Sequence, residues 1–421
     1  MHKPQKRWRR GITRYWMFAV LAAALVGAMS AIPAQGESTG EPNSSRQGQV
    51  HVLPGHLIGA DYEPDKFYVR QGEGEWELTY TPGWQGEDFS EAVRGTLPNL
   101  RSANAVFDDE SGNVHDHDPD FDPQSNTDQF IANLDSYKAN GLLATDVNLQ
   151  GGNPNFDATN PAFNSDGSLR PEWMDRLGKV IEAHAERNMV VVLGYFYFRQ
   201  TGVFDDEDAV RKATTNVTDW LIDNDYRNVV IEIANEHNDD DYPDIISSDE
   251  GMAELIKLAQ SRFDNAAFRL AVSASRYGDA SILQGPAADA ADLSFVHCNG
   301  KDAQGCADAV ADQQGDYDRP IVLNETDNTK GEYTDDTFDE DKKSIDAMVA
   351  TGASWGYMLN QWNQYIPCRY HDDCGSTKFD YALGPDPGVN GSGEELMENF
   401  TAGVLEHLKS VVYSSASESE D

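Results

Sequence analysis

From residue 97 onward the chain alternates short apolar runs with longer amphipathic stretches. No other feature limits its fold so tightly. The runs are LRSANAVF (100–107), LLATDVNL (142–149), MVVVLGYFY (189–197), NVVIEIAN (228–235), FRLAVSAS (268–275), DLSFVHCN (292–299), PIVLNET (320–326) and SWGYMLNQ (354–361). Each is short enough for a buried strand. Between them lie helical patterns such as NTDQFIANLDSYKANG, RPEWMDRLGKVIEAHAERN, DEDAVRKATTNVTDWLIDND and DEGMAELIKLAQSRFDN. The first ends at Gly141, and Pro171 suits a first helical turn. Eight strand–helix units predict an α/β fold of the (β/α)8 TIM barrel type over 97–412. An open doubly wound sheet would be expected to carry a Gly-rich phosphate loop after its first strand, and NAVFDDESGN is not one.

The flanking segments read differently. Residues 1–34 begin with Lys3, Lys6, Arg7, Arg9, Arg10 and Arg14 and no acid, and continue through the apolar YWMFAVLAAALVGAM to the small residues SAIPAQGES. That is the three-part pattern of a signal peptide. A retained anchor is the rival, but it would want ~20 apolar residues to span a bilayer. The reading places the protein outside the cell, secreted or at its surface. Residues 35–50 form a polar linker, and 413–421 an acidic tail. Within 51–96, KFYVRQGEGEWELTYTPGW reads as a β-hairpin that caps the barrel.

The formal charge is −40, and losing the six basic residues of the signal takes it to −46. Such a field repels nucleic acid and anionic membranes. The acids are spread over the whole chain, as on the solvated surface of a halophile, rather than gathered into one binding patch. The four cysteines, Cys298, Cys306, Cys368 and Cys374, suit disulfides in three possible connectivities, of which the local one, 298 with 306 and 368 with 374, is expected. There is no CxxC pair for a zinc ribbon, and the chain is expected to act as a monomer without cofactor or metal. The loop HDHDPDFDP (115–123) reads as a solvated acidic loop rather than a calcium site.

Chemistry in such barrels sits at the C-terminal ends of the strands. Those ends are expected to carry Phe107-Asp108-Asp109, Asn148-Leu149-Gln150, Tyr195-Phe196-Tyr197, Asn235-Glu236, Ser275-Arg276-Tyr277, His297-Cys298-Asn299, Asn324-Glu325 and Asn360-Gln361-Trp362. Apart from the acids these are mostly aromatic and amide groups, which suit stacking on sugar rings and bonding to hydroxyls. Asn148, Gln150, Asn299 and Arg276 are candidate sugar contacts. Glu236 and Glu325 end the fourth and seventh strands, each after an asparagine, and would face each other across the barrel mouth. Two opposed carboxylates are the working pair of glycoside hydrolysis. Glu232 has the strand parity of Glu236, so it points inward and needs a partner such as Arg101 or a hydroxyl at a strand tip.

The stretch VVIEIANEHN resembles the fourth-strand signature of glycoside hydrolase clan A, above all its family 5 cellulases and mannanases. The resemblance covers about residues 97–410. It implies Glu236 as acid/base, Glu325 as nucleophile and retention of configuration. It also implies that Asn235 bonds the sugar 2-hydroxyl, that His297 matches the sixth-strand histidine, and that Trp362 floors the subsite of the cleaved sugar. The departures are His237 where proline is usual, Tyr197 where histidine is usual, His-Cys-Asn on the sixth strand, and no arginine on the second, where Asp146 and Asn148 stand. Two other readings compete: a carbohydrate-binding barrel without activity, and a metal-dependent barrel hydrolase using His115 and His117.

Overall fold

The structure is a computed structural model. It describes residues 66–71, 75–80, 97–108, 122–151, 162–187, 189–278, 283–316, 319–326, 335–351, 353–358, 381, 383 and 402–413. The chain divides into two units, Met1–Ser44 and Ser45–Asp421, and every described residue belongs to the second. The expected signal and linker, the tail after Tyr413, and His115, His117, Trp362, Cys368 and Cys374 lie outside the described residues.

Strands β1 (Lys66–Gln71) and β2 (Glu75–Tyr80) pair antiparallel, with Lys66 opposite Tyr80. They are the hairpin read from the two runs around GEGE. Next come β3 (Asn99–Arg101), α1 (Pro123–Ala132), α2 (Leu134–Ala139), β4 (Ala144–Asn148), α3 (Pro171–Ala185) and β5 (Val190–Phe196). They are followed by α4 (Glu207–Asp223), β6 (Val229–Ala234), α5 (Asp244–Ser247), α6 (Asp249–Arg262) and β7 (Val272–Ser273). The rest is α7 (Gly285–Ala290), β8 (Ser294–His297), α8 (Ala303–Asp316), β9 (Ile321–Glu325), α9 (Asp335–Thr351), β10 (Gly356–Tyr357) and α10 (Ala402–Tyr413).

Residue chemistry sets the helix ends. Asp122 caps α1 by accepting from Gln124 N and Ser125 N at 2.9 and 3.0 Å, with Pro123 in the first turn. Asp206 and Ser248 cap α4 and α6 in the same way. The single helix expected over 126–141 is two. Asn133 turns its side-chain amide onto Gln129 O at 2.9 Å and breaks the run between α1 and α2.

The strands form an α/β architecture of parallel, alternating β/α units. Six lie in the order β10-β3-β4-β5-β6-β7, and β8 pairs with β9. Backbone bonds tie the two sheets at both junctions. Asp292 N donates to Val272 O at 2.9 Å beside β7, and Leu323 N donates to Ser354 O at 3.0 Å beside β10. Val, Ile and Leu from the strands are buried against helix residues such as Trp173, Leu177, Val217, Leu221 and Ile256. Trp220 packs partly buried against this core beside Tyr226, at 5.1 Å between ring centroids.

The first barrel strand is shorter than its apolar run. β3 stops at Arg101, and Ala105 N donates back to Ser102 O at 3.0 Å to start a turn. Asn126 and Thr127 of α1 hold that turn by donating to Asn104 O and Ala105 O, each at 2.9 Å. The strand therefore ends at Arg101-Ser102 rather than Phe107-Asp108-Asp109. Asp108 pairs instead with Arg176 of α3 at 2.8 Å.

The β9–β10–β3 junction tolerates no side chain at Gly356. A Cβ there would overlap Leu323 O and Asn99 Oδ1. Asn99 Nδ2 donates to Leu323 O at 3.0 Å across the same gap. Gly356→Ala should therefore destabilise the protein by about 1–3 kcal/mol, the usual cost of overpacking. Urea denaturation monitored by tryptophan fluorescence would test this, and an unchanged midpoint would contradict so close a junction.

Candidate active site

The C-terminal ends of β3, β4, β6, β8 and β9 bring six ionisable groups together. Arg101 lies directly beside Asp146 in the β3–β4 register and is bonded to it at 2.7 Å. Its other nitrogens reach Glu325 Oε1 at 2.9 Å and Asn235 Oδ1 at 3.0 Å. The guanidinium also lies over the Tyr197 ring, 5.8 Å from its centroid. On the opposite side His297 Nδ1 is 3.3 Å from Glu236 Oε1 and 3.3 Å from Glu325 Oε2. One carboxyl oxygen of each glutamate and one ring nitrogen of His297 all lie within 4.8 Å of one another. Asn299 donates to Glu325 Oε2 at 2.7 Å.

Local structure aims Glu236. The chain turns into a left-handed conformation there, with φ of 50°. This is rare for a residue with a Cβ and costs about 1–3 kcal/mol, so the surroundings must impose it. They do so through Ser275, just past β7. Glu236 N donates to Ser275 Oγ at 2.8 Å, and His237 N donates to Ser275 O at 3.0 Å. The Tyr242 hydroxyl donates to Asn235 O at 2.7 Å and fixes the residue before. On the β8 side, Cys298 forms a disulfide with Cys306 in α8, the pairing expected from sequence, and Cys298 N donates to Glu325 O at 2.8 Å. His297 and Asn299 flank that anchored cysteine.

The electrostatics separate the two glutamates. Burial raises Glu236, and the nearby Glu325 adds to the effect while the His297 bond opposes it, so Glu236 holds a proton more tightly than usual. Burial would raise Glu325 as well, but Arg101 and then His297 outweigh it and keep the carboxylate below its ordinary range. Burial would lower His297, yet Glu325 and Glu236 push it up to about 9. Glu232 is buried beneath the pair and is raised to about 8, first by burial and then by Asp146. Asn324 Nδ2 reaches Asp146 Oδ2 at 3.0 Å and Glu232 Oε2 at 3.5 Å, and Ser275 also bonds Glu232. Of the two kinds of partner expected for Glu232, the direct bond is thus to a tip hydroxyl, while Arg101 binds Asp146, Asn235 and Glu325.

The remaining candidates fall into two groups. Asn235 belongs to the cluster, and its buried Nδ2 has no hydrogen-bond partner among the described residues. It remains able to donate to a ligand. Gln150 Oε1 accepts from Tyr197 N at 2.8 Å and so positions the ring under Arg101. Asn148 is buried against Gly194, where a Cβ would collide with its Oδ1. Arg276 is held away in an ion pair with Asp249 at 2.9 Å. Sequence reading placed Ser275 and Asn324 at strand ends and named Arg101 only as a partner for Glu232, and made none of the three a site candidate. A signal for Arg101 was available: several inward carboxylates on neighbouring strands require a buried cation, and Arg101 lies in an apolar run.

Glu236, His297 and Glu325 are also the described group that could hold a metal ion. A metal would have to displace the proton on His297, because a protonated ring nitrogen donates rather than ligates.

No family model matches the sequence, and no curated protein matches it. Among solved structures the chain is similar to family 5 glycoside hydrolases at low sequence identity. One is a broad-specificity endoglucanase from Clostridium longisporum, at 10% identity and TM-score 0.49, covering 78% of this chain and 99% of that one. Thermotoga maritima Cel5A matches at 14% identity and TM-score 0.48, covering 74% and 96%. The endo-beta-mannanase/endo-beta-glucanase PbGH26A-GH5A of Prevotella bryantii matches at 9% and 0.48 over 79% of this chain, which spans 50% of that protein's length. Likenesses this slight carry no function to the chain.

The elevated His297 has a consequence for stability. Its folded value of about 9 stands above the ordinary imidazole value of 6.5. The protonated ring therefore stabilises the fold fully below about pH 6.5, and that contribution is lost as pH rises through about 9. Glu232, raised to about 8, acts in the same direction. The urea midpoint should fall between pH 6.5 and 9.5, and less steeply in His297→Gln. The His297 ring should titrate near pH 9 by NMR. Titration near 6.5 in the native protein would refute this electrostatic account.

Proposed function

We propose that the chain is an exported, retaining glycoside hydrolase of (β/α)8 architecture that cleaves β-linked O-glycosidic bonds. The observation that carries this reading is the pairing of Glu236 and Glu325 across His297 with unequal affinities for a proton. A retaining pair needs carboxyl groups ~5 Å apart, one protonated and one ionised. Carboxyl oxygens within 4.8 Å, with Glu236 raised and Glu325 lowered, support that division of labour.

In the proposed reaction Glu236 gives its proton to the leaving oxygen while Glu325 attacks the anomeric carbon and forms a glycosyl ester. Glu236, now ionised, takes a proton from water as that water attacks the ester and releases the sugar with its original configuration. Arg101 and Asn299 keep Glu325 ionised and aimed. The free amide of Asn235 suits the sugar 2-hydroxyl. Trp362 is proposed as the floor under the cleaved sugar.

Activity on a panel of β-linked polysaccharides would test the class, and NMR of the first-formed anomer would test retention. Glu325→Ala should abolish turnover. Azide should restore part of it by attacking from the vacated side, giving a glycosyl azide of inverted configuration. Glu236→Ala should lose about 10²–10⁴-fold on poor leaving groups and far less on activated ones. Full activity in either variant would sink the pairing.

Export is proposed from the basic, apolar and small-residue sequence of the N-terminus, and a saline setting from the mature charge of −46. Among the described residues no helix is long and apolar enough to cross a membrane. Like charges spread over a surface oppose compaction. The Debye length falls from ~10 Å at 0.1 M salt to ~3 Å at 1 M, which removes most of that repulsion. The melting temperature should climb from 0.1 to 3 M salt. A flat or falling curve would discard the halophile reading.

A further inference from the structure

Among the described residues one large apolar side chain stands out in solvent: Tyr277, 59% exposed. It lies two residues past Ser275, on the segment that leaves β7. Its backbone is clasped from both sides, because Tyr277 N donates to Asn238 Oδ1 at 2.7 Å and Asn238 Nδ2 donates to Tyr277 O at 2.9 Å. Asn238 in turn lies two residues past Glu236. With the bonds from Glu236 N and His237 N to Ser275, four hydrogen bonds zip residues 236–238 to residues 275–277. Two residues of chain span at most about 7 Å, so Tyr277 is held beside the Glu236 loop rather than across the mouth.

We propose that Tyr277 is the stacking platform of a saccharide subsite for the leaving group, taking the apolar face of a β-linked pyranose ring. The proposal rests on the glycosidase reading above. The strand order sets the side. β7 neighbours β6, which carries Glu236, while Glu325 belongs to β9 beyond β8. The acid must lie beside the oxygen it protonates, so the departing sugar sits on the Glu236 side, where Tyr277 is. The chemistry fits as well. An aromatic ring in water on a fixed backbone loses little freedom on binding, and a pyranose with equatorial substituents presents axial C–H groups to such a face. The tyrosine hydroxyl adds a polar handle for a neighbouring sugar hydroxyl.

The test compares the wild type, Tyr277→Ala and Tyr277→Trp on two substrates with the same sugars on the cleaved side. One is an oligosaccharide that extends past the scissile bond, and the other is the glycosyl fluoride, whose leaving group has no ring. Tyr277→Ala should lower kcat/KM on the oligosaccharide by about two- to tenfold, the worth of one aromatic stacking contact. It should leave the fluoride unchanged, and Tyr277→Trp should restore the loss. Equal losses on both substrates, or no loss on either, would overturn the subsite. If the wild type hydrolyses neither substrate, the glycosidase reading fails separately. Calorimetric titration of the oligosaccharide into wild type and Tyr277→Ala then decides the platform: weaker binding by the variant upholds it, and equal binding overturns it.

Discussion

The candidate site depends on one buried guanidinium. Arg101 binds Asp146, Asn235 and Glu325, and its face covers Tyr197. Four carboxyl groups surround it or lie nearby in the buried cluster: Asp146, Glu232, Glu236 and Glu325. The described cluster offers only two cations against them, Arg101 and a protonated His297. Burying an unpaired charge is so unfavourable that the excess carboxyls must keep protons. Burial raises Asp146, Glu232 and Glu236, Asp146 even beside Arg101, and Glu325 is the one lowered. The unequal hold of Glu236 and Glu325 on a proton thus follows from burial set against the reach of Arg101 and His297.

That balance holds only because the groups cannot move apart. The close junction at Gly356 brings β9 and β10 against β3, which sets Glu325 within reach of Arg101. Ser275 grips two backbone N–H groups, one directly and one through its carbonyl, and keeps Glu236 in a left-handed conformation it would otherwise avoid. The Cys298–Cys306 link anchors the residue between His297 and Asn299. Ser275 and the disulfide act just past the ends of strands, where the sheet has stopped supplying partners of its own. The surface obeys a different rule. Acids such as Asp208 and Glu254 stand exposed and pair with Arg211 in water, where screening weakens the attraction.

Much of the architecture was legible because it depends on local periodicity. The runs NVVIEIAN and PIVLNET became β6 and β9, and the asparagine–glutamate pairs fell at their ends as alternation requires. The helical patterns DEDAVRKATTNVTDWLIDND and DEGMAELIKLAQSRFDN likewise formed α4 and α6. Local reading failed where a side chain captured a backbone carbonyl. The run after Arg101 turned away because α1 residues captured its carbonyls, and Asn133 split a pattern that looked continuous.

The sequence by itself determined the alternation of strands and helices and the inward parity of Glu232. Only the tertiary structure decided which carboxyl keeps its proton. Arg101 stands 224 residues from Glu325, and His297 stands 61 residues from Glu236. Desolvation and Coulomb attraction depend on distance through space and on the exclusion of water, and neither is set until the strands have assembled side by side.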